Sequence, residues 1–140
     1  MIPKITKGNS HTDSRGTLFY NNDFDISATK RIYVIENFDI DFVRAWQGHK
    51  IEQRWFSAVQ GSFEIKLIEI DHWETPNHKL ECETFQLKSE NLDILHIPSG
   101  YVTSIKALEE NSRLLLFADH FFNEVSDEYR YEPNYFENAL

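Results

Sequence analysis

The sequence predicts one all-β domain, built as a sandwich or a barrel, and three observations support this prediction. Short segments rich in β-branched and aromatic residues recur along the chain, with turn signals between them. No long stretch keeps the 3.6-residue apolar period of an amphipathic helix. The chain has 140 residues, of which 41% are hydrophobic, so residues 1–140 are expected to form a single domain around one core.

The first predicted strands follow one another in chain order. Residues 30–36 (KRIYVIE) and 55–59 are short and rich in β-branched or aromatic side chains. Residues 61–62 (GS) predict a turn, and residues 63–67 then alternate apolar and charged side chains, which indicates a strand with one buried face. Residues 71–79 are polar and predict a surface loop.

The second half of the chain predicts three further strands and a less regular end. Residues 82–87 and 93–97 have the composition of strands, and a Pro-Ser-Gly turn signal follows at 98–100. Residues 112–118 (SRLLLFA) form a nearly continuous apolar run, which is typical of a strand buried on both faces. The tail, residues 123–140, is acidic and aromatic and is expected to be helical or irregular.

Composition and charge argue against several classes of partner. The net charge of −9 disfavours nucleic acid, because a phosphate backbone needs a basic face. No apolar run approaches the roughly 20 residues that span a bilayer, and the N-terminal residues lack the apolar stretch of a signal peptide. Cys82 is the single cysteine and has no partner for an intrachain disulfide, so a cytoplasmic location is expected.

Among the six histidines, His49 is the candidate for chemistry. It lies in residues 44–50 (RAWQGHK), a segment dense in hydrogen-bond donors and aromatic rings. If this segment is a strand, Gln47 and His49 point to the same face. An imidazole on the inner face of a barrel can transfer protons near neutral pH, although a purely structural histidine is the alternative.

Five short motifs in a consistent order resemble the RmlC-like cupins and, within them, the sugar 3,4-ketoisomerase branch, the FdtA or WxcM-like family. The likeness runs over about residues 10–136. The motifs are residues 13–18 (DSRGTL), 30–33 (KRIY), 44–50 (RAWQGHK), 97–101 (IPSGY) and the C-terminal stretch 119–136.

The resemblance implies a cupin jelly-roll barrel, a homodimer, and a dTDP-linked 4-keto-6-deoxyhexose as substrate in deoxysugar biosynthesis. The implied isomerase moves the ketone from C4 to C3 without a metal or an organic cofactor. By position, His49 is the expected acid/base, and Tyr33 and Gln47 are expected to assist it. A further set is expected to contact the substrate, with the two arginines Arg15 and Arg44 on the diphosphate: Arg15, Arg44, Trp46, Arg54, Tyr101 and Thr103.

One departure from the family pattern keeps other functions open. Gln47 occupies the position of the first family histidine, and its amide cannot take a proton at neutral pH. Epimerase chemistry by the usual base is therefore disfavoured, and an epimerase-like or a non-catalytic sugar-binding cupin is the alternative. A metal cupin would need about three histidines and a glutamate. Here only His49 and Glu52 match. Gln47 stands at the first histidine position, and Val102 and Thr103 stand where the last histidine should be, so no metal site is expected.

Overall fold

The structure, a computed structural model, describes residues 1–140 and contains twelve strands and one three-residue 3-10 helix, Ile26–Ala28. No helix has the length and apolarity that crossing a membrane would require. The strands, numbered in chain order, are β1 Lys4–Thr6, β2 Asn9–Asp13, β3 Gly16–Tyr20, β4 Arg31–Asn37, β5 Val43–His49, β6 Arg54–Gln60, β7 Ser62–Glu69, β8 Cys82–Lys88, β9 Ile94–Ile97, β10 Tyr101–Ala107, β11 Ser112–Ala118 and β12 Glu128–Arg130.

Ten of these strands form two five-stranded antiparallel sheets. The first sheet has the order β1-β9-β6-β11-β4, and the second has the order β12-β5-β10-β7-β8. Strands β2 and β3 form a separate hairpin. Segments distant in sequence alternate within each sheet, so the chain crosses repeatedly between the sheets, which is the topology of a jelly roll.

The main core lies between the inner faces of the two sheets. It contains 13 buried residues, among them Phe56 and Leu116 from the first sheet and Ile65, Leu87 and Ile105 from the second. Burial of each such side chain contributes about 1.5–3 kcal/mol. The hydrophobic effect therefore holds the two sheets together as one barrel.

A second apolar cluster covers the outer face of the second sheet. Trp46 and Val102 project from this face and pack against Phe136 and Ala139 of the tail. The ammonium group of Lys66 also donates a hydrogen bond to the Ala139 carbonyl oxygen at 2.7 Å. The tail is irregular apart from β12, so of the two expectations for it the irregular one is confirmed and a helix is absent.

The pairing of β5 with β10 fixes which side chains face the barrel interior. His49 pairs with Tyr101, and Gln47 pairs with Thr103, so the predicted common face of Gln47 and His49 is confirmed. Gly48 lies between them on the opposite face. A Cβ atom there would lie 2.4 Å from the Tyr101 carbonyl oxygen, so only glycine permits this close approach of β5 to β10.

The predicted strands agree with the structure to within two residues at each end. Strand β11 has the predicted bounds, and residues 71–79 contain no regular secondary structure, as expected for a loop. Five strands were not predicted, namely β1, β2, β3, β10 and β12.

Candidate active site

A cavity of about 910 Å³ lies between β4 of the first sheet and β5 of the second. Strand β12 and the following residues 131–135 form a further wall of this cavity. Arg54 and Thr103 reach it from the middle of the two sheets. The cavity therefore opens at the edge where the two sheets do not pack against each other.

His49 presents one ring nitrogen to two carboxylates. Its side chain is 11% exposed, and its Nδ1 lies 3.3 Å from Asp127 Oδ1 and 3.4 Å from Glu52 Oε2. A nitrogen that faces carboxylates carries the proton in the neutral imidazole. Since no protein group bonds Nε2 and the ring lines the cavity, Nε2 keeps a free lone pair for an incoming ligand.

Asp127 is held in place by the backbone of the β5–β6 turn. Its Oδ2 accepts hydrogen bonds from the amide groups of Ile51 at 2.7 Å and Glu52 at 2.8 Å. Burial alone would raise the pKa of Asp127, but these two hydrogen bonds and the His49 imidazole lower it below the usual range. Asp127 is therefore a carboxylate that anchors the tail to the turn and orients the His49 ring.

The environment of His49 keeps its imidazole neutral. Burial lowers the pKa of His49, and the cationic guanidinium of Arg54 lowers it further, whereas Asp127 acts in the opposite direction. The net effect is a pKa below the ordinary histidine value of 6.5. The ring is thus available as a proton acceptor at neutral pH.

Glu52 is the second buried carboxylate of this cluster. It is 5% exposed, and its Oε1 lies 3.6 Å from a terminal nitrogen of Arg31. Burial raises the pKa of Glu52, while the charges of Arg31 and Arg54 counteract part of that effect. Both carboxylates point at His49 Nδ1, and no group of three His, Cys, Asp or Glu side chains is arranged to hold a metal ion.

Four arginines line the cavity and differ in how they are paired. Arg31 pairs with Glu52, and the Arg130 Nε lies 2.7 Å from Glu128 Oε1. Arg44 is exposed and lies over the ring of Phe42 at 5.6 Å. Arg54 is buried. Cationic side chains so arranged can bind an anionic ligand.

Most of the predicted site residues come together at this cavity, which is lined by Tyr33, Arg44, Trp46, Gln47, His49, Arg54 and Thr103. Trp46 lies there with little of its surface free: its indole is 1% exposed, packs on Phe136 and donates a hydrogen bond to the Pro133 carbonyl oxygen at 3.2 Å. Its side chain belongs to the outer face because it alternates with Gln47 along β5.

Two predicted residues lie elsewhere. Arg15 is in the turn of the β2–β3 hairpin, where it is exposed and bonds Asp13 at 2.7 Å, so it does not line the cavity of its own chain. Tyr101 is 6% exposed and packs in the main core. It pairs with His49 in the β5–β10 ladder, but it does not line the cavity.

Sequence reasoning gave no role to the partners of His49. Residues 127–130 (DEYR) are part of the family-like C-terminal motif, but the motif does not indicate that Asp127 returns to the β5–β6 turn. From the sequence, Glu52 is expected only as a possible metal ligand. The pairing of β12 with β5 over three residues brings Asp127, the residue before β12, next to His49.

The fold and the cavity define the class of the protein as a cupin of the RmlC type. The chain belongs to the FdtA family, because the family model described as FdtA, WxcM-like, C-terminal, matches residues 1–140. None of the curated protein sequences matches this chain significantly.

Several solved structures are similar to the chain. A mutant of the 3,4-ketoisomerase QdtA from Thermoanaerobacterium thermosaccharolyticum, in complex with TDP-4-keto-6-deoxyglucose, is 22% identical with a TM-score of 0.72 over 98% of this chain and 93% of that chain. A 3,4-ketoisomerase from Helicobacter canadensis is 25% identical, with a TM-score of 0.68 over 89% of this chain and 87% of that chain. The WlaRB TDP-quinovose 3,4-ketoisomerase from Campylobacter jejuni is 24% identical, with a TM-score of 0.68 over 97% and 98% of the two chains.

Proposed function

We propose that this protein is an isomerase that converts a dTDP-linked 4-keto-6-deoxyhexose into its 3-keto isomer by acid/base chemistry. The observation that carries the proposal is the imidazole of His49, 11% exposed, whose Nδ1 faces Asp127 while the ring lines a cavity that also holds four arginines. Membership of the FdtA family and the similar 3,4-ketoisomerase structures support the substrate class.

The reaction needs one group that removes and returns a proton. Nε2 of His49 takes the proton from C3, and the electron pair of that bond forms a double bond between C3 and C4. The carbonyl electron pair moves onto the C4 oxygen, which becomes the anionic oxygen of an enediolate. The C3 hydroxyl then transfers its proton to the C4 oxygen, and as the C3 ketone forms, the electron pair of the double bond takes the imidazolium proton at C4. The ketone has moved to C3 with atoms and charge conserved, and an imidazole with a near-neutral pKa suits both transfers.

Gln47 and Tyr33 would orient the sugar. Gln47 pairs with Arg130 of β12 and with Thr103 of β10, so its backbone is fixed between two strands. Tyr33 lies on the facing strand, with the guanidinium of Arg31 over its ring at 4.8 Å. The Gln47 amide cannot take a proton at neutral pH, so His49 is the proposed acid/base.

The exposed arginines of the cavity would bind the diphosphate. Arg44 and Arg130 lie on neighbouring strands at the open edge, and both are solvent-accessible. A guanidinium fork matches phosphate oxygens, and an exposed site leaves the highly charged diphosphate partly hydrated. The sugar would then extend inward toward His49.

We further propose that the enzyme works as a homodimer in the cytoplasm. The outer face of the first sheet exposes the apolar side chains of Ile32 and Val34, at 61% and 54%, on an edge strand that is unpaired on one side. Such a face is typical of a surface that a second copy covers. Cys82 is unpaired, which suits a reducing compartment.

The alternative is a binding-only function, which the glutamine at position 47 favours. A direct assay distinguishes this alternative from the proposed reaction. The purified protein is incubated with dTDP-4-keto-6-deoxyglucose, and carbon NMR follows the ketone. The wild type is expected to yield the 3-keto isomer, and His49→Gln, which keeps a polar side chain of similar reach, is expected to bind dTDP but not to turn over. Tight binding by the wild type without any product would contradict the proposal.

A further inference from the structure

Arg54 occupies an unusual position at the deep end of the cavity. It begins β6 and pairs with Ala118 and Ile97 in the middle of the first sheet, so its side chain points into the barrel. The residue is only 4% exposed, and it lines the cavity. Whatever approaches its guanidinium must therefore enter through the cavity.

The guanidinium of Arg54 forms no ion pair within the protein. No carboxylate lies within 4.0 Å of its nitrogens, whereas Arg31 and Arg130 each have one. Its contacts are a long hydrogen bond of 3.5 Å from a terminal nitrogen to Thr103 Oγ1 and the face of the Phe56 ring at 5.1 Å. A buried cation without a paired anion is costly, so its donors are free for negative charge on a ligand.

The same guanidinium lies close to the proposed base. Its Thr103 contact is opposite Gln47 in the β5–β10 ladder, two residues from His49 on the same inner face. The Arg54 charge is also strong enough at His49 to lower the pKa of that imidazole. A cation and a neutral base thus share the floor of one cavity.

We infer that Arg54 is a catalytic residue that stabilises the oxyanion of the reaction, an inference that rests on the proposed isomerase function. As His49 Nε2 takes the C3 proton, the electron pair of that bond forms the C3–C4 double bond, and the carbonyl pair moves onto the C4 oxygen. The Arg54 donors then bond that anionic oxygen. The C3 hydroxyl then transfers its proton to the C4 oxygen, and the charge is lost as the C3 ketone forms and the electron pair of the double bond takes the imidazolium proton at C4.

Burial distinguishes this role from diphosphate binding. Diphosphate carries its full charge before and after the reaction, and the exposed Arg44 and Arg130 at the cavity edge suit it. Arg54 is buried on the wall of the cavity, and a preorganised donor of this kind is most effective where charge exists only in the transition state and intermediate. The two arginine sets therefore separate binding from chemistry.

The test compares Arg54→Met and Arg54→Lys with Arg113→Met, a control on the neighbouring strand whose arginine is exposed and bonds Glu36 outside the cavity. For each protein, kcat with dTDP-4-keto-6-deoxyglucose, the Kd for dTDP by calorimetry, and the melting temperature are measured. We expect Arg54→Met to lower kcat about 10²- to 10³-fold. Its Kd for dTDP is expected to stay within about threefold of the wild type, since only the chemical step uses the oxyanion donor. The Lys variant, which keeps the charge but not the fork, should lose less activity.

Several outcomes would overturn the inference. One is a kcat for Arg54→Met within threefold of the wild type. Another is a Kd for dTDP raised tenfold or more with kcat retained, and this result would assign Arg54 to diphosphate binding. If Arg54→Met does not fold, an unchanged kcat of the folded Lys variant with an altered Kd contradicts the inference, and a lowered kcat with an unchanged Kd supports it. A wild type that binds the substrate without turnover would refute the proposed function and this inference together, so the two failures are distinguishable.

Discussion

Replacing Asp127 by asparagine tests the link between the tail and the base. The carboxylate accepts a hydrogen bond from the protonated Nδ1 of His49 at 3.3 Å. This arrangement leaves Nε2 as the unprotonated nitrogen. An asparagine can turn its amide NH₂ toward Nδ1, which favours the other imidazole tautomer and places a proton on the nitrogen that should accept one. The variant should therefore bind the substrate but transfer protons poorly.

The structure sets the size of the expected loss. In a serine-protease triad the same exchange lowers kcat by about 10⁴. Here the contact is long at 3.3 Å, and Glu52 also lies 3.4 Å from Nδ1, so part of the orientation survives. We expect a loss of kcat of about 10²-fold, or about 2.7 kcal/mol at 1.36 kcal/mol per tenfold.

The same substitution should lower stability in a pH-dependent way. Two backbone amides lose a charged acceptor and gain a neutral one, which costs about 1–3 kcal/mol in total. Because the folded-state pKa of Asp127 is below the ordinary 3.8, its contribution is present above about pH 4 and is lost as the pH falls through that lower pKa. Urea denaturation of wild type and variant should differ at pH 7 and converge in acid.

A matched control is Asp25→Asn. Asp25 also accepts a backbone hydrogen bond, from Ser27 at 2.9 Å, but it is exposed at the start of the 3-10 helix and far from the cavity. The Asp25→Asn variant should have the kcat of the wild type and the same pH dependence of kcat. If Asp127→Asn keeps more than half of the wild-type kcat, the orientation argument for His49 is wrong.

Three other predictions test the site and its surroundings. The acid limb of the pH profile of kcat/KM should have its inflection below pH 6.5, because burial and Arg54 lower the pKa of His49 and a protonated His49 cannot act as the base. An inflection above pH 6.5 would contradict this prediction. Gln47→Ala should lower kcat by less than about tenfold, since an amide only orients the sugar, and a loss as large as that of His49→Gln would refute it. Val34→Lys should convert a dimer to a monomer in sedimentation equilibrium, because it puts a charge on the exposed face of the first sheet; an unchanged mass would exclude that face as the interface.

The strands that could be predicted are those with a simple burial pattern. Strand β7 alternates buried and half-buried residues from Phe63 to Leu67. Strand β11 is a nearly continuous apolar run, and the ring of Phe24 packs on Phe117 at 5.6 Å. Strand β10 was missed because both of its faces are buried, and Thr103 and Ser104 interrupt an apolar run that otherwise would have indicated it. The hairpin β2–β3 is almost wholly exposed, so it has no hydrophobic pattern to detect.

The candidate site could be predicted where residues are adjacent in sequence. The common face of Gln47 and His49 follows from the two-residue period of a strand. The contact between His49 and Asp127 spans 78 positions and depends on a three-residue strand, β12, that no local pattern indicates. The position of Arg15 in the exposed hairpin is likewise a matter of topology, which a motif does not encode.

Proton NMR of dTDP-4-keto-6-deoxyglucose with the protein in heavy water tests the central proposal most directly. The wild type should incorporate deuterium at C3 or C4 as the 3-keto product forms, and His49→Gln should incorporate none. A wild type that binds the sugar nucleotide, detected by saturation transfer, yet leaves both carbons free of deuterium would contradict the proposed proton transfer by His49.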